Sequence, residues 1–321
     1  MTALLDVTDL SVHFPMRAAP FAKPAMLRAV ESVSLQVAAR EIVGVVGESG
    51  SGKTTLGRAI LRLVDPTSGS IRFDGIDLAG LDSRAMLPIR RRMQAVFQDP
   101  AGSLNPVMTV GRAIAEPLAI HDIGSRRDRA ERVAALIDRV GLAADAAAKL
   151  PHALSGGQRQ RVGIARALAV APDLIIADEA VSALDVSVQA QIVNLLQDLQ
   201  AELGLAMLFI AHDLAVVEHL CDRVLVLYLG RVMETGPAAE VFAHPRHPYT
   251  RALINAAPQI DPALRRARQL LVGEPPSPVS PPSGCVFRTR CPHAIAACSE
   301  VVPPLIGGSH AAACIRQDEI G

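Results

Sequence analysis

The sequence predicts an α/β protein built on a parallel β-sheet, and three observations predict it. Glu41 to Gly47 is a β-branched apolar run that ends in glycine, the pattern of a strand buried on both faces. Leu174 to Ala177 is a second such run. Strand-length apolar pieces also alternate with helical spacings along the chain, an arrangement that puts ligands at the carboxyl ends of the strands.

Leu4 to Phe14 alternates loosely and reads as a strand ending at Pro15, and Met16 to Leu27, with Pro20 and Pro24, reads as a loop insertion. Helix-forming residues run from Lys53 to Leu63. Ile71 and Phe73 precede Asp74-Gly75, the signal of an antiparallel hairpin. From Ser125 to Val140 the spacing is helical, with Val133, Leu136, Ile137 and Val140 on one face and Gly141 as the stop. Val188 to Leu203 traces another helix, closed by Gly204. Ala206 to Ile210 is strand-like, and Val224 to Tyr228 with Arg231 to Glu234 reads as a hairpin turning at Gly230. Composition shifts near Pro237, and Glu274 to Gly284 is a proline- and serine-rich linker. There is no internal repeat.

At 321 residues the chain can hold two structural units. It carries 32 basic and 32 acidic residues, a balance that disfavours a nucleic-acid surface. Half of it is hydrophobic, yet no apolar run reaches bilayer length. With Asp6 and Asp9 so early and no basic-then-apolar leader, the expectation is a soluble cytoplasmic protein.

Three segments carry chemistry. Gly47-Glu48-Ser49-Gly50-Ser51-Gly52-Lys53-Thr54 lies between a strand and a helix. Its glycines let the backbone wrap a phosphate group, Lys53 supplies charge to the β- and γ-phosphates, and the Thr54 hydroxyl can ligate Mg²⁺. Only Lys23, Lys53 and Lys149 occur in the chain, so a lysine at this spot is the more telling. Asp178 ends an apolar strand, where a carboxylate can hold Mg²⁺ or its waters, and Glu179 suits a base that polarises the attacking water. Leu154-Ser155-Gly156-Gly157-Gln158 reads as a glycine-rich helix start with Ser155 as N-cap, and it has no evident job on the same nucleotide.

In this order the three segments resemble those of the nucleotide-binding subunits of ATP-binding-cassette (ABC) transporters. The resemblance implies a P-loop ABC ATPase cassette: a RecA-like parallel-sheet core with an antiparallel β subdomain and a helical subdomain. It implies ATP and Mg²⁺ as cofactors, bound through Gly47, Ser49, Gly50, Ser51, Gly52, Lys53, Thr54 and Thr55 together with Asp178. It gives Ser155, Gly156, Gly157 and Gln158 the role of completing the site of a partner subunit. Gln98 resembles the glutamine that senses Mg²⁺ and the attacking water, and His212 the switch histidine that contacts the γ-phosphate. Asp185, in Ser182-Ala183-Leu184-Asp185, matches the loop crossing the dimer interface, and it also suits an N-cap. Phe14 sits where an aromatic stacks on adenine, or in the core. After Glu179 the family usually has proline; here Ala180 stands, which loosens the backbone leaving the base.

His244-Pro245-Arg246-His247-Pro248-Tyr249-Thr250-Arg251-Ala252-Leu253, then Gly284-Cys285-Val286-Phe287 and Arg290-Cys291-Pro292-His293-Ala294, resemble the C-terminal extension of dipeptide/oligopeptide importer ATPases. The expected domains are 1–236 for the cassette, with a helical subdomain at about 99–170, and 237–321 for the extension. Expected partners are a second, paralogous cassette, two transmembrane permease subunits and an extracytoplasmic peptide-binding protein, with the chain peripheral on the cytoplasmic face of a bacterial inner membrane. Nickel, glutathione or antimicrobial-peptide cargo remain alternatives, as does a soluble ABC ATPase acting on nucleic acid. Cys285, Cys291, Cys298 and Cys314 are unsuited to disulfides in a cytosolic chain. They suit a 4Fe–4S cluster, as in some relatives with this tail, or Zn²⁺, or free thiols. Cys221 reads as a small buried hydrophobe.

Overall fold

The computed structural model describes residues 3–16, 25–182, 184–256 and 273–320. The strands in chain order are β1 (Leu5–Met16), β2 (Ala25–Val37), β3 (Ile42–Val46), β4 (Ser68–Phe73), β5 (Ile76–Asp77), β6 (Met93–Val96), β7 (Leu174–Asp178), β8 (Ala206–Ile210), β9 (Arg223–Tyr228), β10 (Arg231–Pro237) and β11 (Ala311–Ala312). The α-helices are α1 (Lys53–Ile60), α2 (Met86–Arg92), α3 (Pro100–Ser103), α4 (Val110–Ile120), α5 (Arg126–Arg139), α6 (Gly156–Leu168), α7 (Val186–Leu203), α8 (Leu214–Leu220), α9 (Ala238–Ala243) and α10 (Pro248–Ala256). The chain divides into two compact units. One comprises Met1–Leu4, Val37–Glu41 and Gly80–Ile210, and the other Leu5–Gln36, Ile42–Ala79 and Ala211–Gly321.

The first unit holds three parallel strands in the order β6-β7-β8, with Met93 opposite Leu174 and Leu174 opposite Ala206. Every residue of β7 and β8 is buried, which explains why both read as unbroken apolar runs. Helix α5 starts where the sequence predicts. The Ser125 hydroxyl accepts from the Asp128 amide and the Asp128 carboxylate accepts from the Ser125 amide, so two orphan donors are satisfied at once. Val133, Leu136 and Ile137 form its buried stripe, and Gly141 leaves the helix at φ +69°. Helix α4 is not among the predicted elements. Pro117 lies inside it and removes a backbone donor, so local propensity argues against a helix that burial of Val110, Ala113, Ile114 and Leu118 stabilises.

The second unit carries an antiparallel sheet in the order β2-β1-β4-β5. The predicted hairpin turns at Asp74 (φ +50°) and Gly75 (φ +77°), with Phe73 opposite Ile76. Two expectations need correction here. Strand β1 runs on through Pro15 to Met16, and β2 already begins at Ala25, so both ends of the expected loop are strand. Proline is tolerated because Pro15 is exposed at the strand's end. Strand β2 buries Val30, Val33, Leu35 and Val37, and the period of two over the last three of these was a legible signal. Residues 17–24, the rest of that loop, lie outside the described residues.

This unit also holds β3, parallel to β9, while β9 and β10 form the predicted hairpin through Gly230 (φ +75°). Strand β11 of the tail adds antiparallel to β10, pairing Glu234 with Ala312. The sheet here is therefore mixed, not purely parallel. Gly44 of β3 is close to Val217 and Cys221 of the α8 region, since a Cβ there would lie 2.6 Å from Val217 Cγ1. Cys221 is buried, and burial pushes its thiol pKa far up, which fits a packing role.

A fully buried carboxylate ties the tail down. Glu234 on β10 accepts hydrogen bonds from the amides of Arg246 (2.7 Å) and His247 (2.9 Å), and its Oε1 lies 2.7 Å from His310 Nε2. Arg246 Nη1 in turn donates to the His310 carbonyl at 2.7 Å. Replacing Glu234 by alanine leaves two amides and a buried imidazole without their acceptor. The expected cost is about 3–5 kcal/mol in urea denaturation, with Glu234→Gln in between; a loss within experimental error would refute this anchor.

Candidate functional site

The loop between β3 and α1 has the backbone of an anion cradle. Gly47, Gly50 and Gly52 take φ values of +151°, +77° and +103°. A Cβ on Gly47 would sit 2.1 Å from the Leu227 carbonyl oxygen, and one on Gly52 2.1 Å from the Ala29 carbonyl oxygen. Glycine is thus required at both ends of the loop by the strands behind it. Gly50 meets nothing within 4 Å, so its requirement is the left-handed turn alone. Helix α1 begins at Lys53 with Gly52 as an N-cap that offers no side-chain acceptor, and a helix N-terminus favours an anion. Lys53 is buried and its Nζ donates to the carbonyls of Gly47 (2.8 Å) and Glu48 (2.9 Å). Ser51 is buried, and Thr54 and Thr55 are half-buried. The Ser51 carbonyl accepts from the Gly230 amide at 2.9 Å, so the β9–β10 turn braces the loop. In the same unit, Phe14 is half-buried near the end of β1, and His212 is exposed before α8.

The first unit holds the carboxylates. Asp178 closes β7 and is buried; Glu179 follows it, half-buried, with φ +48°. A left-handed glutamate costs roughly 1–2 kcal/mol, and such strain persists where the surroundings over-determine it. Here the Glu179 amide donates to the Ile210 carbonyl (2.9 Å), while the Ser182 amide (3.1 Å) and hydroxyl (3.0 Å) both donate to the Glu179 carbonyl. These bonds hold the turn that Ala180, without a proline ring, leaves free. Gln98 lies exposed in the bend after β6.

The Ser155 hydroxyl accepts from the Gln158 amide at 3.3 Å, and the Gln158 side chain accepts from the Ser155 amide at 3.0 Å. The glycine-rich helix start is thus a capping box of α6. Ser155 and Gln158 are exposed, Gly156 half-buried, and Gly157 buried against α7, where a Cβ would lie 2.4 Å from Val188 Cγ1. Asp185 caps α7 by accepting from the Val188 amide (3.0 Å) and from the Ser187 hydroxyl (2.7 Å). These bonds, the one from Val188 first, hold its carboxyl below the usual range.

In the tail, Cys285, Cys291, Cys298 and Cys314 line one cavity of about 20 Å³ together with Phe287 and His293. Burial pushes the Cys285 thiol up to about 11 and raises those of Cys291 and Cys314. No three His, Cys, Asp or Glu side chains among the described residues are set to hold a metal ion. The donor chemistry suits a soft metal centre; the spacing of the thiols as they stand does not close on a single ion.

Residues 30–182 match the model of the ABC transporter family, and residues 233–298 that of the oligopeptide/dipeptide transporter C-terminal region. The chain is 55% identical to a putative peptide import ATP-binding protein of Brucella ovis, covering 99% of both chains. It belongs to the ATP-binding subunits of ABC transporters. The chain is also 52% identical to the oligopeptide transport ATP-binding protein OppF of Salmonella typhimurium, over 99% of this chain and 97% of that one. Among solved structures it is similar to the dimeric, post-hydrolysis cassette MJ0796 bound to ADP and Pi, at TM-score 0.66 and 31% identity over 73% of this chain and 98% of that one. The cassette cbiO1 of Clostridium perfringens matches at TM-score 0.65 and 28% identity, over 76% and 92%. The cassette is thus an ABC-type ATPase. Among the described residues no helix is long and apolar enough to cross a membrane.

One set of residues carries no signal in the sequence. Glu48 lies inside the glycine loop, and Tyr249 and Arg290 lie in the tail motifs, yet no role attached to any of them. In the structure the Glu48 amide donates to Tyr249 Oη, and the Arg290 guanidinium donates to both Glu48 oxygens. Sequence separations of 201 and 242 residues leave no periodic signal that could have found them. For the loop itself, Gly47→Ala is expected to weaken ATP binding by more than tenfold in equilibrium titration, because the added methyl must displace the Leu227 backbone; unchanged affinity would mean the loop relaxes freely.

Proposed function

We propose that this cassette powers the import of dipeptides and oligopeptides across a bacterial inner membrane, from a peripheral position on its cytoplasmic face. The observation that carries the proposal is the likeness to OppF along the whole chain, the C-terminal region included. A nucleotide site cannot specify cargo, so the likeness of the tail is what favours peptides over nickel or glutathione. The proposed partners are a second cassette of similar sequence, two permease subunits and an extracytoplasmic peptide-binding protein.

In this reading the glycine loop, the first turn of α1 and the Lys53 ammonium bind and orient the triphosphate, and Phe14 stacks on the adenine. Glu179 accepts the proton of the attacking water, while Gln98 and His212 orient that water and the γ-phosphate. Ser155, Gly156, Gly157 and Gln158 present a helix start to the nucleotide held by the partner cassette, and Asp185 lies at that interface. Thr54, Gln98 and Asp178 are hard oxygen donors of the kind Mg²⁺ prefers, and the ion would neutralise charge on the phosphates. ATP then stabilises the closed pair of cassettes and its loss releases them, a population shift that the membrane subunits can use.

We also propose that Cys285, Cys291, Cys298 and Cys314 ligate an iron–sulfur cluster. Their convergence on one cavity and the four-thiol donor set support this. Protein purified without oxygen is expected to show broad visible absorption that Cys298→Ser abolishes; colourless protein refutes the cluster, and stoichiometric zinc would replace it.

Replacing Glu179 by glutamine is expected to leave ATP affinity within a few-fold while turnover falls by about a hundred- to ten-thousand-fold. Unchanged turnover would exclude it as the base. Cargo is tested by ATP-dependent uptake of a labelled tripeptide into vesicles that carry the cassette and its permease. Uptake that persists with Lys53→Ala would overturn the assignment.

A further inference from the structure

Glu48 is the only charged residue between Gly47 and Gly52, and the tail engages both its backbone and its side chain. Its amide donates to Tyr249 Oη at 2.8 Å. Its carboxylate receives a two-pronged bond from Arg290, Nη1 to Oε2 at 2.6 Å and Nη2 to Oε1 at 3.1 Å. Its carbonyl is left for the loop itself, accepting from Lys53 Nζ at 2.9 Å and the Ser51 amide at 3.1 Å. The tail therefore holds the loop at the residue on which the loop's internal bonds converge.

The tail side of this contact is rigid. The Arg290 side chain is 5% exposed, and its guanidinium carbon lies 5.9 Å from the centre of the Tyr228 ring. Tyr228, Tyr249 and Phe287 pack mutually, with ring centres 4.7, 5.4 and 5.3 Å apart. A planar fork clamped in an aromatic cluster loses little freedom on binding a carboxylate. The electrostatics are equally direct. An unpaired carboxylate beside Ser49 and Gly50 would repel the anionic triphosphate that these residues are read as binding. Paired with Arg290, that negative charge is balanced.

We propose that Arg290 and Tyr249 of the C-terminal extension are positioning residues of the phosphate loop, which set ATP affinity by neutralising the Glu48 carboxylate and fixing the Glu48 amide. This rests on the reading of residues 47–54 as the phosphate cradle. The extension is then a working part of the nucleotide site as well as a mark of the importer class.

The test is the ATP dissociation constant of the full chain, measured by competition with a fluorescent ATP analogue. Arg290→Ala is expected to weaken binding roughly tenfold, since a charge-assisted pair is lost and a negative charge is freed. Arg290→Lys, which keeps the charge without the fork, falls in between. Adding Glu48→Gln to Arg290→Ala is expected to restore most of the affinity, an outcome that general damage to the tail would not produce. Tyr249→Phe keeps the rings and removes only the hydroxyl; it is expected to weaken binding about two- to five-fold with an unchanged melting midpoint. Affinity within error of the parent for both Arg290→Ala and Tyr249→Phe overturns the proposal, and so does a loss that Glu48→Gln fails to relieve. Should Arg290→Ala not fold, the Tyr249→Phe value decides alone. Lys53→Ala separates the two readings: if it binds ATP normally, the phosphate cradle itself is misassigned.

Discussion

A tight glycine loop must keep side chains off the surface that its neighbours press against, and here two neighbouring segments occupy that surface. The Leu227 and Ala29 carbonyls lie where the Cβ atoms of residues 47 and 52 would be. The cradle is thus confined between β9 and β2 and stays open inward only because glycine permits the approach. Much else in this unit serves that confinement. The β9–β10 turn donates from Gly230 to the Ser51 carbonyl, and the Ala29–Val30 backbone passes close to the same glycine.

The tail enters the same arrangement by a separate route. Glu234 gathers Arg246, His247 and His310 around one buried carboxylate, which sets the start of α10 and so places Tyr249. From there the aromatic cluster carries the path to Arg290 and back to Glu48. Buried charge is costly when unpaired, so the Glu234 carboxylate is held by three residues, while the half-buried Glu48 carboxylate is held by the Arg290 fork. Cys291 follows Arg290 directly and Cys285 stands two residues before Phe287. One short segment thus contributes both to the thiol-lined cavity and to the contact with Glu48.

In the other unit, strain and capping mark the same places as the motifs. Glu179 is left-handed at the end of a fully buried strand, held by bonds to Ile210 and from Ser182. Ser155 and Asp185 are each a helix cap as well as a motif residue.

The class of the chain was legible in its residues because the chemistry is local. A phosphate cradle needs its glycines and lysine within eight positions, and β7 needs its acids at one strand end, so both survive as contiguous text. Strong periodicity likewise exposed α5, α7 and the two hairpins. Strand β2 was less visible, since only its second half alternates cleanly, and α4 was hidden by Pro117, whose cost is met by tertiary burial of Val110, Ala113, Ile114 and Leu118. Tertiary structure alone decided that Glu179 is strained, that the sheet beside the cradle is mixed, and that Arg290 and Tyr249 reach the loop. Those facts depend on which distant surfaces pack together, and a pairing across more than two hundred residues leaves no spacing, period or local propensity in the chain.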